Sequence, residues 1–452
     1  MANATPHNNL QVNISNRQIL SIALPISFGI LVPQLNFITN NIFLGRLSEQ
    51  ALATAAITGV YYLIFAAIGF GLNNGLQALI SRRAGENRPG EIGKLFINGI
   101  FISMGIAVIG IVLTYTLSPM ILKFSIHDEA VRAQAVSFLK IRIWGLPFLY
   151  VYQMRNALLV GTNQSKYLVA GTVAEALANI FFDYSLIFGH FGFPELGFNG
   201  AAIASIIAEF MGMAVVFAVI HFKGIGKRFS LFSNVRYDPV NAKLIFAQSS
   251  PLIFQHAISI ISWEFFYILI EHHGERDLSI SNTMRNLFGL FGMFSWALSA
   301  TCSSMVSNII GQGLQDRVPE LIIKIVKIST GIALVVCLLL NLFPELFLSL
   351  YGQTDDWVTH AIPVIRIVSP ALVLMSFSVI FLSAITGSGN TRISLLVEFI
   401  TIVMYVVFVW LVLEYFNLPI TIGWMSEWLY WISVFTISFI YLRSGKWKGK
   451  VI

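Results

Sequence analysis

The sequence has few charged residues for its length. Of its 452 residues, 11% are Asp, Glu, Lys or Arg and 56% are hydrophobic, and the mean hydropathy is +0.76. Soluble globular domains contain about 25% charged residues. The composition therefore excludes the two or three soluble domains that the length alone would suggest, and it predicts an integral membrane protein.

Cysteine and the common catalytic motifs are also scarce. Cys302 and Cys337 are the only cysteines, and their spacing excludes a CxxC motif. The sequence contains no HExxH or GxSxG motif, and residues 223–227, its nearest approach to a phosphate-binding GxxxxGK[ST] loop, lack the first glycine and the hydroxyl. We therefore expect neither an ATP-driven pump nor an enzyme, with no cofactor and no metal centre.

Long apolar runs dominate the chain. A helix needs about 20 apolar residues to cross a bilayer, whereas a membrane β-barrel shows alternating segments of about ten residues. The runs therefore predict an all-α polytopic protein with twelve transmembrane helices. They fall near 17–44, 52–80, 92–118, 134–160, 166–189, 198–222, 242–271, 278–308, 322–349, 361–386, 392–415 and 422–443.

The two halves of the chain repeat each other at an offset of 226 residues. Pro25 and Pro251 open the first and seventh runs, and Gly161 in VGTNQSK corresponds to Gly387 in TGSGNTR. Because six helices return the chain to its starting side, the halves should be parallel repeats with a substrate site between them near the midplane. We predict an N-terminal lobe at 1–222, a cytoplasmic linker at 223–243 and a C-terminal lobe at 244–452.

Basic residues concentrate in alternate loops, 18 on one side of the predicted membrane and four on the other. The positive-inside rule places the 18 in the cytoplasm together with both chain termini. The net charge of +6 thus reflects topology, and we expect no nucleic-acid partner. Residues 1–16 lack a basic n-region and do not resemble a cleavable signal. The expected location is the plasma, or inner, membrane.

The predicted fifth helix carries the strongest functional signal. Glu175, Asn179 and Asp183 recur at i, i+4 and i+8 and so project from one helical face. A charge at the bilayer centre costs about 3 kcal/mol, so such residues face a bundle interior or a water-filled cavity. A polar stripe that only joins helices is the alternative. Two carboxylates without a matching Lys or Arg favour an ion or substrate pathway.

Polar residues in other spans extend this predicted cavity. Asn36 and Asn40 share a face of helix 1, and Gln77 lies in helix 2. In the second half, Glu264 of helix 7 is either a second cation site or the ion-pair partner of Arg285. Since Glu264, Asp183 and Asn40 all lie in the outer halves of their helices, we expect one outward-opening vestibule.

Four arginines lie in the interior of predicted spans, away from their ends. A structural ion pair, or a side chain that extends to the headgroups, is the favoured interpretation of each. They are Arg142, Arg155, Arg285 and Arg366.

The polar motifs resemble those of a known family. Residues 22–52 are similar to the first helix of the multidrug and toxic compound extrusion (MATE) family, and NIFFDYSLIFG followed by LGFNGAAIAS at 196–205 is similar to its fifth and sixth helices. The resemblance implies a V-shaped twelve-helix antiporter, monomeric in the bilayer. It would export cationic amphiphilic molecules in exchange for H⁺ or Na⁺ by alternating access.

The same resemblance assigns site residues. Family ligands map onto Asn179, Asp183, Ser205 and Glu264, and Asp183 and Asn179 would be the ligands if the ion is sodium. The sequence departs from the family at Asn40, where the family carries Asp. That departure leaves Glu175 as a substitute acid.

Two other transporter classes stay open as alternatives. A major-facilitator porter also has two parallel six-helix halves. Its loop between helices 2 and 3 usually contains an Asp, whereas the only acidic residues of the corresponding segment here, 81–94, are Glu86 and Glu91. A lipid-linked precursor flippase of the MATE superfamily would hold pyrophosphate with several cations, and Arg285 is the only clear cation in the outer half of a span.

Overall fold

The computed structural model describes residues 10–126, 128–232, 235–349 and 354–452. The regular structure of these residues is helical throughout. The α-helices are α1 (Asn16–Leu47), α2 (Glu49–Gly85), α3 (Pro89–Ser125), α4 (Glu129–Arg142), α5 (Leu146–Gly161), α6 (Leu168–Phe188), α7 (Phe198–Phe222), α8 (Ile225–Arg228), α9 (Pro239–Glu271), α10 (Glu275–Gly311), α11 (Val318–Leu342), α12 (Pro344–Ser349), α13 (Asp355–Gly387), α14 (Thr391–Val409), α15 (Ile420–Gly423) and α16 (Ser426–Arg443). Short 3₁₀ turns occupy Ile143–Gly145, Ser165–Tyr167 and Gln315–Arg317, and a π-helical turn occupies Trp410–Tyr415.

The helices confirm the predicted all-α, membrane-spanning fold. Ten described helices are long and apolar enough to cross a membrane, and α4–α5 and α6 lie at the other two predicted positions. Two predicted spans are interrupted. The fourth breaks at the 3₁₀ turn Ile143–Gly145, and the ninth ends at Leu342, just before Pro344 opens α12.

The chain divides into two compact units. Phe28–Ile253 form one, here called the N-unit, and the described residues up to Ser27 join Phe254–Ile452 in the other, the C-unit. The division into lobes at the 223–243 linker stays a prediction.

In the N-unit, α6 and α7 approach closely because glycine lines their contact. A Cβ added to Gly200 would lie 2.5 Å from the carbonyl oxygen of Leu186, and one added to Gly212 would lie 2.9 Å from the Cβ of Glu175. Small residues are the usual means of close helix approach in membranes. This contact fixes the orientation of α6, which carries the predicted ion pathway.

The C-unit has an aromatic core. Phe266 of α9 and Trp424 meet edge to face with ring centroids 5.2 Å apart, and Phe266 also contacts Tyr405 of α14. The indole nitrogen of Trp424 donates to the Ser281 hydroxyl at 3.1 Å. A buried Trp normally pairs its N–H in this way.

A non-helical segment before α1, residues 10–15, lies along α10 and α11 in the C-unit. Leu10, Val12 and Ile14 are buried in alternation. Asn308 accepts from the Val12 backbone N–H at 3.1 Å and donates to the Leu10 carbonyl at 2.9 Å, while Lys324 donates to the Ile14 carbonyl. We call this segment the N-terminal strap.

Candidate ion-binding site

Asp183 is a buried carboxylate for which the described residues provide no partner. It lies in the last two turns of α6, which ends where Gly189 adopts a left-handed φ of +72°. Its side chain is fully buried, and neither carboxylate oxygen accepts a hydrogen bond. A buried ionised group that is unpaired is strongly unfavourable. Asp183 therefore requires a proton, a cation or a cationic ligand.

Helix α1 approaches α6 at two places in the N-unit. A Cβ on Gly29 would lie 4.0 Å from the Thr172 hydroxyl oxygen. Further along, the Phe43 ring lies 6.1 Å from those of Tyr184 and Phe188, centroid to centroid. Both pairings correspond to an offset of about 143 positions between two helices that run in the same direction.

This register places the amides of α1 at the height of the polar residues of α6. Asn36 corresponds to Asn179, and Asn40 corresponds to Asp183. Among the described residues, none donates a hydrogen bond to the buried side-chain oxygens of Asn36 and Asn40 or to either carboxylate oxygen of Asp183. These four oxygens thus lie at two adjacent helical levels, and carboxylate and carbonyl oxygens are the ligands that a hard cation prefers.

Three other predicted site residues of the N-unit make contacts that do not include Asp183. They are Glu175, Gln77 and Ser205. Glu175 packs against Gly212 of α7, with its Oε2 buried and unpaired. Gln77 is buried in α2, and its backbone carbonyl oxygen lies against Gly161 of α5. Ser205 is half-buried in α7. Neither Gln77 nor Ser205 hydrogen-bonds to Asp183.

In the C-unit, Glu264 and Arg285 do not form an ion pair with each other in the described structure. Arg285 instead places its guanidinium 4.9 Å from the centre of the Tyr267 ring, a cation–π contact. The ion-pair alternatives for Glu264 and Arg285 are therefore wrong. Glu264 as a second cation site remains a prediction.

The predicted structural ion pair forms at Arg142 but not at Arg155 in the described residues. Arg142 forms the expected buried ion pair, donating from both terminal nitrogens to Glu209 of α7. Arg155 is fully buried but forms no ion pair in the described residues. It donates to the Gly212 carbonyl at 3.2 Å and stacks over Tyr152. Backbone and aromatic contacts replace the predicted carboxylate, although its Nε stays unpaired.

Three buried carboxylates were not among the predicted site residues: Glu209, Glu398 and Glu427. Each lies within a predicted apolar span, at 198–222, 392–415 and 422–443 respectively. The rule that singled out Asp183, that an acid inside a span is functional by default, applies equally to them.

The family model for MatE matches residues 25–185 and 251–411. The chain belongs to the MatE family. The matches begin 226 positions apart and end 226 positions apart, which confirms the internal repeat. The first match contains both α1 amides and Asp183.

Curated relatives of this MATE protein span nearly the same length. It is 22% identical over 440 residues to a probable multidrug resistance protein NorM of Thermotoga maritima, covering 96% of this chain and 94% of the relative. It is 21% identical over 388 residues to a probable multidrug resistance protein NorM of Synechocystis, covering 83% of each chain.

Solved structures share the fold. A transporter of the MOP superfamily from Pyrococcus furiosus has a TM-score of 0.87 at 17% identity, covering 99% of this chain and all of that chain. An outward-facing multidrug resistance MATE transporter has a TM-score of 0.86 at 18% identity, covering 99% of this chain and 100% of that one. At these identities the likeness establishes the fold.

Proposed function

We propose that this MATE transporter is a secondary active antiporter that exports organic cations or xenobiotics in exchange for H⁺ or Na⁺. The observation that carries the proposal is the buried carboxylate of Asp183, which has no hydrogen-bond partner among the described residues. One negative site that cannot stay empty binds the ion or the cationic substrate in turn. Because each displaces the other, their movements are coupled.

The ligands of the proposed site follow from the register of α1 and α6. Asp183 supplies the charge, while Asn179, Asn36 and Asn40 supply amide oxygens. If the ion is sodium, these oxygens replace its hydration shell. If the ion is a proton, Asp183 binds it directly, and an amide oxygen accepts a hydrogen bond from the resulting carboxyl O–H.

The proposal includes the expected topology. Both termini and the 223–243 segment are cytoplasmic, and the protein is a monomer in the plasma membrane. Labelling of a single cysteine introduced at position 230 with an impermeant thiol reagent tests this orientation. Labelling of position 230 from outside intact cells would show that the orientation is the opposite one.

Transport of a fluorescent lipophilic cation by the purified protein in proteoliposomes tests the exchange. Proton and sodium gradients are imposed separately, with no ATP present. We expect one gradient, directed opposite to the dye movement, to drive dye accumulation, and dissipation of that gradient to stop it. Equal dye movement with and without either gradient would contradict antiport. The exposed Glu195→Gln variant serves as a control that removes a carboxylate of the same unit away from the site.

A further inference from the structure

The linker between α7 and α9 is held against the rest of the N-unit. The Phe229 side chain is completely buried, and its backbone carbonyl oxygen lies 2.1 Å from the position that a Cβ on Gly93 of α3 would take. Further along the linker, the backbone N–H of Asp238 donates to the Asn98 side chain of α3 at 2.8 Å. These contacts fix the linker on the first three turns of α3.

The same contacts place the linker at a bilayer surface. Helix α3 has 37 residues, which span about 55 Å, whereas the hydrocarbon core is about 30 Å thick. Shared between the two ends, the excess leaves about 12 Å of α3 outside the core on each side. Gly93 and Asn98 lie about 6 Å and 14 Å along the helix from Pro89, its first residue. The linker therefore lies at the level of the lipid headgroups.

Large apolar side chains of the linker and of the helix ends beside it are exposed. Phe222, the last residue of α7, is 83% exposed, and Val240 in the first turn of α9 is 76% exposed. Three residues between them are more than half exposed as well: Phe232, Val235 and Tyr237. At the headgroup level, side chains of this kind insert between the headgroups and the acyl chains. Contact with lipid therefore accounts for their exposure.

The linker also carries exposed basic residues that no carboxylate of the described structure neutralises. Its single acid is Asp238. The Asp238 Oδ1 accepts from the backbone N–H of Val240 at 2.9 Å, and its Oδ2 accepts from the Asn241 amide at 2.8 Å, so this carboxylate caps α9. The exposed basic residues, none of which forms an ion pair in the described part of the chain, are Lys223, Lys227, Arg228, Arg236 and Lys243.

The neighbouring loop between α2 and α3 shows the opposite arrangement. Arg83 donates to Glu86 at 2.8 Å and lies 3.0 Å from a Glu91 oxygen. Arg88 lies 3.6 Å from each of the same two acids. The protein thus supplies counter-charges for the cations of this loop, whereas counter-charges for the linker must come from outside the protein. Unpaired cations beside exposed apolar groups match a bilayer surface that contains anionic lipid.

We propose that residues 222–243 form a binding surface for anionic phospholipids of the leaflet in which they lie. The exposed apolar side chains enter the boundary between headgroups and acyl chains, and the ammonium and guanidinium groups bind the lipid phosphates. The net negative charge of an anionic headgroup, which a zwitterionic headgroup lacks, supplies the missing counter-charge. The proposal is independent of the exchange reaction and of the side of the membrane on which the linker lies.

Fluorescence quenching by lipid in proteoliposomes measures this preference at the linker itself. A bimane label is attached to Val240→Cys in the full-length protein, after Cys302→Ala and Cys337→Ala have removed the native thiols. The vesicles contain equal parts of phosphatidylcholine and phosphatidylglycerol, one of which carries a nitroxide near the carboxyl end of an acyl chain. We expect phosphatidylglycerol to bind beside the label at least about tenfold more tightly than phosphatidylcholine. A ratio close to one, or no quenching by either lipid, would contradict the proposal.

A neutral linker and a second label position separate local binding from a general preference of the protein. The neutral linker carries Lys223→Gln, Lys227→Gln, Arg228→Gln and Arg236→Gln. Because these side chains are exposed and unpaired, the melting temperature should hold while the ratio falls to about one. A label at Leu342→Cys, 68% exposed within the stretch 333–352 that lacks Lys and Arg, should report a ratio near one throughout. Equal ratios at the two labels, or an unchanged ratio with the neutral linker, would overturn the assignment.

Basic residues near the C-terminus provide a matched charge control. Its substitutions are Arg443→Gln, Lys446→Gln and Lys450→Gln, all at exposed positions. We expect the ratio at the Val240→Cys label to stay unchanged in this variant, since the linker keeps its cations. A fall equal to that of the neutral linker would show that the charge of the whole protein attracts the lipid, and the linker would not be the binding surface.

Discussion

Arg142 and Glu209 form a two-point ion pair between α4 and α7, inside the N-unit. One of its N–O distances is 3.1 Å, and the guanidinium carbon lies 3.9 Å from the centre of the Tyr62 ring. Gly145 provides the space, because a Cβ there would lie 2.3 Å from an Arg142 nitrogen and 2.4 Å from a Glu209 oxygen. The interruption between α4 and α5 thus coincides with the pair.

Removal of one member of this pair should destabilise the protein strongly. We expect Glu209→Gln to lower the free energy of unfolding by about 3–5 kcal/mol, because it leaves a buried guanidinium uncompensated. The double variant Arg142→Met/Glu209→Leu should recover most of that loss. Denaturant titration in detergent measures both. Glu320→Gln, which breaks an exposed pair with Arg317, should cost at most about 1 kcal/mol. Equal costs for the two single variants would contradict the structural role of the buried pair.

The close contact of α6 and α7 gives a second prediction. Gly200→Ala places a methyl group 2.5 Å from the backbone oxygen of Leu186, so the helices must separate and the melting temperature should fall. Gly105→Ala in α3 is the matched control, since nothing lies within 4 Å of its Cβ position. That change should be neutral or raise stability by up to about 1 kcal/mol. A fully stable Gly200→Ala protein would show that the two helices can move apart at little cost.

Asn308 makes two of the hydrogen bonds that hold the N-terminal strap. Asn308 binds the strap backbone at both Leu10 and Val12, so Asn308→Ala should release it. We expect the Val12 amide to lose protection from hydrogen exchange by at least about tenfold, which corresponds to about 1.4 kcal/mol, while amides in the middle of α13 keep theirs. Unchanged protection of Val12 would show that the buried Leu10, Val12 and Ile14 side chains hold the strap without Asn308.

The positions of the helices could be predicted because the bilayer sets the length of an apolar run. Helix α7 occupies Phe198–Phe222, the predicted range. The interruption at Ile143–Gly145 was not predicted, although Pro147 lies in the first turn of α5 and a proline lacks the backbone N–H that a continuous helix uses. The Arg142–Glu209 contact that coincides with the interruption joins residues 67 positions apart.

The candidate site was only partly predictable, for a similar reason. An acid in an apolar run is visible in the sequence, which singled out Asp183. Whether the protein satisfies that acid depends on distant residues. Glu427 receives an indole N–H from a residue 164 positions away, and Glu398 a hydroxyl from one 139 positions away. That Asp183 has no partner in the described part of the chain is likewise a property of the packed structure.

The placement of Asn40 at the height of Asp183 can be tested by a change of charge. Asn40→Asp adds a second carboxylate, and two neighbouring carboxylates titrate as a coupled pair. We therefore expect the pH optimum of transport to move upward. Transport is measured against pH in the wild type, in Asn40→Asp and in Asn40→Asp/Glu175→Gln. The last variant removes Glu175, the acid that α6 carries besides Asp183. Superimposable profiles would show that Asn40 does not face Asp183.

Asp183→Asn tests most directly whether this carboxylate couples the two transported species. The amide keeps the shape of the side chain but neither releases a proton nor balances a cation. In proteoliposomes with equal amounts of folded protein, we expect the variant to bind a fluorescent lipophilic cation yet accumulate none against either a proton or a sodium gradient. Gradient-driven accumulation at the wild-type rate would contradict the role assigned to Asp183.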